Sequence, residues 1–245
     1  MLATSRRIMC FLVAIDLSAP SRSAIELSAL LTRATGLSPL LLHVSKGKPP
    51  LRQLADLYAL AEPLRALDTA PRLRTAQGDP AEQVCAYAAM HGARFIVMGT
   101  RGHHDRSANA TGSVARRVMT CSEVPVIAVR PQTLALPQEH DLPRGQPVAL
   151  MDTAGPADAA SAIARFIVQA TQGRLFTVPS GSAWRQGLGR EHAPYEAPAH
   201  LVLSIDPTAP TPAWVDHLLH VEPTPMVLVS QHPMVWAVRD HTAHG

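Results

Sequence analysis

The stretch FIVMGTRGHHDRSANATGS, from Phe95 to Ser113, decides how this chain is interpreted. Its first four residues are apolar and predict a buried strand, and the VARRVM that follows it predicts a helix. The glycine-rich segment between them, Gly99–Ser113, leads from the strand into the helix. Such a segment offers backbone N–H groups and the positive end of the helix dipole, which favour an anion. Two interpretations stay open on these residues alone: a phosphate-binding loop, or a glycine-rich turn before a capped helix.

Alternating strand and helix signals extend outward from this stretch. Apolar runs predict strands at 8–15, 39–44, 72–78, 94–98 and 124–129. Helices are predicted from Pro20 to a stop at Gly36, over 51–67, from the cap Asp79 to a stop at Gly92, and over 113–121. This order predicts an α/β fold with a mostly parallel, doubly wound sheet. Sheets of this kind bind ligands at the carboxyl ends of their strands.

An internal repeat follows a proline-rich linker at 132–147. VALMD at 148–152 matches LVAID at 12–16, RLFTV at 174–178 matches LLLHV, HLVLSI at 200–205 matches RFIVMG, and TPMVLV at 224–229 matches VPVIAV. The second copy is shorter, and the interval 205–225 contains no glycine. Residues 1–145 carry 17 basic and 11 acidic side chains, net +6, and residues 146–245 carry 5 and 8, net −3. The half with the glycine-rich segment is therefore the electropositive one, as expected of an anion binder.

The glycine spacing is Gly99, two residues, Gly102, nine residues, Gly112-Ser113, and it resembles the ATP-binding signature of the universal stress protein family. The chain resembles that family over almost all of its first half, in segments such as GDPAEQVCAYAAMHGARFIVMGTRG. The second half resembles a degenerate copy. The resemblance implies two Rossmann-like domains (adenine nucleotide alpha hydrolase-like), each with a sheet of five strands or fewer, at 1–131 and 148–245.

The resemblance also implies which residues contact ATP. Asp16 would lie beside the adenine and ribose, with the backbone of Ala14 and Ile15 next to it, and Val44 would pack on the base. The ribose and phosphates would be held by Met98, Gly99, Gly102, Gly112, Ser113 and Val114. Arg101 would add a charge-assisted contact. A second role for Asp16 stays open, since it also fits a cap of the helix that starts near Pro20, and both roles can hold together.

The nine spacer residues, HHDRSANAT, depart from the family by being more polar than is usual. Asp105 puts a negative charge near the expected phosphates, and three interpretations stay open: it faces solvent, helps to hold a magnesium ion, or weakens nucleotide binding. His103 and His104 are interpreted as a solvated pair, so no metal site is predicted.

Three functions are compatible with this sequence. The favoured one is an ATP-binding stress-response regulator, or nucleotide-dependent interaction protein, with an unidentified protein partner. The alternative is an interaction scaffold of the same fold that binds no nucleotide. The third is an enzyme with slow ATP hydrolysis or phosphotransfer, for which no catalytic residue can be assigned.

Composition excludes several other classes. The net charge of +3 is too mild for a typical nucleic-acid binder. The apolar run after Arg6-Arg7 imitates a signal segment, but it ends at Asp16 and suits a strand, because spanning a bilayer takes about 20 residues. Three widely spaced cysteines predict neither a disulfide framework nor a zinc site, and they favour a reduced cytoplasmic setting. The strands at 124–129 and 224–229 are expected to pair with each other in an intramolecular pseudo-dimer.

Overall fold

The computed structural model describes residues 9–67, 71–100, 112–130, 147–151, 158–178, 200–205 and 226–230. The first half alternates strands and helices: β1 Cys10–Ala14, α1 Ala19–Thr35, β2 Ser38–Ser45, α2 Leu51–Leu60, α3 Glu62–Arg65, β3 Arg72–Gln77, α4 Pro80–His91, β4 Ile96–Gly99, α5 Ser113–Cys121 and β5 Val126–Val129. Each predicted strand is present, and the helix predicted over 51–67 is two helices separated at Ala61. The second half contributes β6 Pro147–Met151, α6 Asp158–Thr171, β7 Arg174–Val178, β8 His200–Ile205 and β9 Met226–Ser230.

The predicted helix ends are set by local chemistry. The side chain of Asp79 accepts a hydrogen bond from the Glu82 N–H at 3.1 Å, which caps α4 at its start. Both α1 and α4 end at a glycine with positive φ, 68° at Gly36 and 61° at Gly92. This left-handed conformation is favourable for glycine and strained for most other residues, so the two helices end where the sequence predicts.

The described strands form one sheet in the order β3-β2-β1-β4-β5-β9-β8-β6-β7. Neighbours are parallel except β5 and β9, which run antiparallel with Ala128 opposite Leu228. The predicted pairing of these two strands is therefore confirmed. A buried side chain adds to the contact, because the Val126 N–H donates to the hydroxyl of Ser230 at 2.8 Å.

The strand order is the same on both sides of the β5–β9 pair. The order β2-β1-β4-β5 corresponds to β7-β6-β8-β9, and the predicted Rossmann-like α/β class is confirmed. The domain boundaries at 131 and 148 stay a prediction. The sequence matches of β6 and β8 were out of register: Leu201 lies opposite Met226 as Ile96 lies opposite Val126, so Leu201 corresponds to Ile96 and not to Phe95. Ala149, which lies opposite Leu201, then corresponds to Leu12. A sequence match between short apolar strands is easily displaced by a residue, because no distinctive residue fixes the alignment.

Two apolar clusters cover the sheet on opposite faces. One joins α1 to α6 and includes Leu27 and Leu31 on α1 and Ile163 and Ile167 on α6. It also contains strand residues from both halves of the chain, such as Val13 and Val202. The other lies under α4 and α5. Since the first cluster is continuous across the β5–β9 pair, the two halves share a core. Among the described helices, none has the length and apolar composition needed to cross a membrane.

The shared core predicts that the chain unfolds as one unit. Ile163→Ala removes buried methyl groups between α6 and α1 and should lower the free energy of unfolding by about 3 kcal/mol. Gln169→Ala, on the exposed side of α6, is the matched control and should have little effect. Chemical denaturation followed by circular dichroism and by tryptophan fluorescence should give a single transition, shifted as a whole. Two separate transitions, with only one moved by Ile163→Ala, would contradict a shared core.

A half-buried carboxyl group on α1 makes stability depend on pH. Burial raises the pKa of Glu26 from its ordinary 4.5 to about 7, and the nearby charge of Arg22 opposes this only in part. The pKa of Glu26 is raised in the folded chain, so its protonated form favours folding. This contribution of Glu26 to the free energy of unfolding is complete below pH 4.5 and is lost as the pH rises through 7.

Glu26→Gln should therefore gain stability relative to the wild type as the pH rises from 4.5 to 7. The gain should be about 1 kcal/mol, after allowing for solvent screening at this partly exposed position. Urea denaturation at a series of pH values measures it. Curves for the two proteins that run parallel over this range would show that burial does not perturb Glu26.

Candidate functional site

The ends of three strands meet at the carboxyl edge of the sheet. β1 lies between β2 and β4, so that Ala14 is opposite Leu42 on one side and Met98 on the other. The Ile15 N–H continues the ladder with a 2.9 Å hydrogen bond to the carbonyl oxygen of Leu42. The three predicted site residues Ala14, Ile15 and Asp16 therefore leave the sheet at its centre, beside the predicted Met98 and Gly99.

Asp16 supports the start of α1, the helix that follows β1. Its Oδ1 accepts hydrogen bonds from the Ser18 N–H at 3.0 Å, from the Ser18 hydroxyl, and from the Ser21 hydroxyl at 2.6 Å. Ser18 is the N-cap of α1, and its side chain accepts from the Ser21 N–H. The cap of α1 is therefore Ser18 and not Asp16, whose carboxylate holds the Ser18 and Ser21 side chains in place. The contact of Asp16 with a nucleotide stays a prediction.

A buried histidine fixes the turn that presents Asp16. Nδ1 of His43 lies 3.0 Å from the carbonyl oxygen of Ile15, and Nε2 lies 3.3 Å from the side-chain amide nitrogen of Gln53. Because a carbonyl oxygen only accepts, Nδ1 carries the proton and Nε2 accepts from Gln53. His43 is thus a support residue that sequence reasoning missed. Its place next to the predicted Val44 was the only available signal.

The two ends of the glycine-rich segment are joined by a backbone hydrogen bond. The Thr100 N–H donates to the carbonyl oxygen of Val129 at 2.8 Å, which extends the β4–β5 ladder by one residue. The carbonyl oxygen of Thr100 then accepts from the Gly112 N–H at 2.7 Å. The start of α5 is therefore tied to the end of β4. The predicted Arg101 and Gly102 lie outside the described residues, as do His103, His104 and Asp105.

The start of α5 differs from the starts of α1 and α4. Its N-cap is Gly112, which has no side chain to accept a hydrogen bond from the first turn. Ser113 is exposed and Val114 is half-buried, so the first turn is accessible from solvent. A helix start without a side-chain cap suits an external acceptor.

Most of the predicted apolar residues share one face of the sheet. Ala14, Val44, Met98 and Val114 all pack on the cluster under α4 and α5. Ile15 packs on the opposite cluster, so only its backbone can face this region. The structure thus brings the described members of the predicted set together, and their contact with a ligand stays a prediction.

Thr100 carries a buried hydroxyl without a partner. The residue is 1% exposed, and its Oγ1 makes no hydrogen bond. Because the ladder continues through its N–H, Thr100 lies on the same face as Met98, two residues earlier, the face on which α5 packs. Thr32, near the end of α1, has the other unpartnered buried hydroxyl among the described side chains. Sequence reasoning did not single out Thr100, since nothing in its residue type separates it from an ordinary turn residue.

The expectation that the cysteines form no disulfide is wrong. Cys85 on α4 and Cys121 at the end of α5 form a disulfide, with their Cα atoms 6.8 Å apart. The two lie 36 residues apart in sequence, but α4 and α5 pack side by side on one face of the sheet. Cys10 is free and buried, and burial raises the pKa of its thiol, against a smaller opposing effect of Arg72.

Other features of the described residues lie away from this edge. A cavity of about 410 Å³ is lined by Leu41, Tyr58, Ala61, Arg65, Leu67, Pro71 and Leu73. None of the predicted site residues lines it, and it borders residues 68–70, which are not described. Within the described ranges, no three His, Cys, Asp or Glu side chains are grouped so that they could hold a metal ion.

Comparison with known protein families matches the universal stress protein family over residues 9–130. Residues 9–130 are a universal stress protein domain. The matched range contains every described strand end that forms the candidate site.

Solved structures of universal stress proteins resemble the chain. A putative universal stress protein from Pseudomonas aeruginosa UCBPP-PA14 is 14% identical and covers 92% of this chain and 94% of its own, with a TM-score of 0.56. One from Archaeoglobus fulgidus DSM 4304 is 16% identical and covers 89% and 97%, with a TM-score of 0.52. A universal stress protein from Archaeoglobus fulgidus in complex with dAMP is 21% identical and covers 49% and 96%, with a TM-score of 0.38. At these identities the first two show a common fold. Comparison with curated proteins gives no match.

The unpartnered hydroxyl of Thr100 makes a prediction about stability. Thr100→Val replaces it with a methyl group of similar shape and should raise the free energy of unfolding by about 1 kcal/mol, because a buried donor without a partner is removed. Thr32→Val is a matched variant that should gain a similar amount. Thermal unfolding of the three proteins tests this. A loss of stability in Thr100→Val would show that the hydroxyl has a partner in the free protein.

Proposed function

We propose that the universal stress protein domain of this chain binds ATP at the carboxyl edge of β1, β2 and β4. The observation that carries the proposal is the Gly112–Thr100 hydrogen bond, since it places the uncapped start of α5 beside the ends of the two central strands. An anion site and an apolar surface then lie next to each other. This is the combination that a nucleotide needs, because one end is a charged polyphosphate and the other is a flat base.

The phosphate end would be held by backbone amides at the start of α5. The N–H groups of Ser113 and Val114 belong to the first turn, where the helix dipole is positive. Gly112 has φ −68° and ψ 161°, angles that any L-residue adopts, so backbone conformation does not explain its glycine. Close approach of a phosphate supplies a steric explanation. Gly99 and Gly102 would act in the same way, and Arg101 would add a positive charge.

The base and ribose would lie against the strand ends. Val44 and Ala14 are half-buried and pack on the same apolar cluster as Met98 and Val114. The backbone of Ala14 and Ile15 would lie beside the base. Asp16 would contact the nucleotide through its carboxylate, whose Oδ1 also holds Ser18 and Ser21 at the start of α1. His43 and Gln53 would act indirectly, by fixing the carbonyl of Ile15.

The unpartnered hydroxyl of Thr100 supports the fit of a phosphate-bearing ligand. A buried hydroxyl costs stability when the protein offers it no acceptor, and a phosphate oxygen is a strong acceptor. Binding would require the groups that cover Thr100 to move aside. Any magnesium ion would then be held by the phosphates and by residues outside the described ranges, with Asp105 as the candidate named above.

The second half would be a degenerate copy that acts as a built-in partner of the domain. Three observations support this: the mirrored strand order, the β5–β9 pairing, and the core shared by α1 and α6. The register supports loss of the second site. If Leu201 corresponds to Ile96, then Ser204 occupies the place of Gly99, and the second copy lacks that glycine. One nucleotide would bind per chain.

The consequence would be a cytoplasmic stress-response regulator whose binding of a protein partner depends on nucleotide. The surplus of positive charge in residues 1–145 favours such an anionic ligand.

Titration of the full chain with a fluorescent ATP analogue tests the proposal. Gly112→Val should abolish detectable binding, because the added side chain occupies the space at the amides. Thr100→Val should weaken binding by about tenfold through loss of one hydrogen bond to a charged group. Thr32→Val should bind as the wild type does, since α1 places it about 20 Å from Ser18. Equal binding by the wild type and Gly112→Val would contradict the assignment, and absence of wild-type binding would favour the nucleotide-free scaffold.

A further inference from the structure

The Cys85–Cys121 disulfide encloses the candidate site. It closes a loop that contains β4, the glycine-rich segment and all of α5. One end of that loop is anchored on α4, and the other is the last residue of α5. The cross-link therefore fixes the helix whose first turn supplies the proposed phosphate contacts.

Few other strong contacts hold α5 against α4. Arg117 on α5 lies 2.7 Å from Asp79 and 3.8 Å from Glu82, but all three side chains are substantially exposed. Exposed ion pairs of this kind contribute little to stability. The apolar contact is made largely by small or flexible side chains, Ala81, Val84 and Ala88 on α4 and Ala115, Val118 and Met119 on α5. The disulfide is thus the strongest single constraint on the position of α5.

The two sulfur atoms differ from the third cysteine in their access to solvent. Cys121 is exposed and Cys85 is half-buried, whereas Cys10 is 8% exposed. Thiol–disulfide exchange requires a sulfur that the attacking group can reach. The cross-linked pair meets this requirement and Cys10 does not.

We propose that Cys85 and Cys121 are a reversible redox couple that exchanges with low-molecular-weight disulfides, and that the disulfide form holds α5 in the position that binds ATP. The coupling to ATP rests on the function proposed above. In the dithiol form α5 is held by its buried apolar face and by the Gly112–Thr100 hydrogen bond, without a covalent cross-link, so binding must also order its first turn. In the disulfide form the cross-link has already ordered α5. Less conformational entropy is then lost on binding, and ATP binds more tightly.

The chemistry balances with a small disulfide as the oxidant. The thiolate of Cys121 attacks one sulfur of the small disulfide, forms a mixed disulfide and releases one thiol. The thiolate of Cys85 then attacks the Cys121 sulfur and releases the second thiol. Two protein thiols and one small disulfide become one protein disulfide and two small thiols, so two electrons pass to the oxidant.

Equilibration of the full chain in anaerobic mixtures of reduced and oxidised glutathione tests the proposal. Alkylation followed by mass spectrometry gives the fraction of disulfide. Amide hydrogen exchange reports the order of residues 113–121, and titration with a fluorescent ATP analogue gives the affinity. We expect slower exchange at 113–121 and about fivefold tighter binding in the oxidised state. Cys121→Ser should remove both differences, and the matched control Cys10→Ala should keep them.

Several results would overturn the redox couple. One is that Cys85 and Cys121 stay reduced in excess oxidised glutathione. Another is that the dithiol and disulfide forms bind the ATP analogue with equal affinity. If neither state binds the analogue, the proposed function fails by itself. Amide hydrogen exchange then tests the redox couple alone. Slower exchange at 113–121 in the disulfide form supports redox control of α5, and equal exchange in the two forms contradicts it. Comparison of the two states of the wild type serves the same purpose if Cys121→Ser does not fold.

Discussion

The hydrogen bond from the Gly112 N–H to the carbonyl oxygen of Thr100 brings together the parts on which this account depends. It sets the start of α5 beside the end of β4, at the centre of a sheet whose strand ends already converge there. The same contact explains why the site is asymmetric. On one side lies the start of α5, whose N-cap is a glycine, and on the other lie the apolar ends of β1 and β2 with Asp16 just beyond them. A charged and an apolar surface within one short edge suit a ligand with a charged tail and a flat base.

The second half of the chain adds stability to this edge from a distance. β9 covers the outer edge of β5, the strand that pairs with β4 and its Gly99, so β5 has no exposed edge. On one face of the sheet α6 packs against α1, the helix whose start Asp16 supports. The second half therefore has a part in the fold, because its strands and helix extend the sheet and the core of residues 9–130.

Local signals in the sequence were sufficient for most elements and insufficient for contacts between distant residues. Asp79, Gly36 and Gly92 fix helix ends through interactions within a few residues, and the sequence predicts these ends well. The pairing of Val126–Val129 with Met226–Ser230 was also predictable, since both are short apolar strands that otherwise leave an open edge. The Cys85–Cys121 disulfide was not predictable, because spacing along the chain does not show that α4 and α5 are neighbours. The supporting role of His43 and the unpartnered hydroxyl of Thr100 depend on contacts that no pattern of residue types encodes. For Asp16 the sequence placed the residue correctly at the start of α1, but the cap itself is Ser18, two residues later. The predicted contact of Asp16 with a nucleotide depends on a ligand.

A crystal structure of the full chain with a non-hydrolysable ATP analogue tests the central claim most directly. The account predicts electron density for the base beside Val44 and Ala14, with the polyphosphate within hydrogen-bonding distance of the amides of Gly112, Ser113 and Val114. Density for the analogue elsewhere on the chain, or an empty edge above β1 and β4 at saturating concentrations, would contradict it.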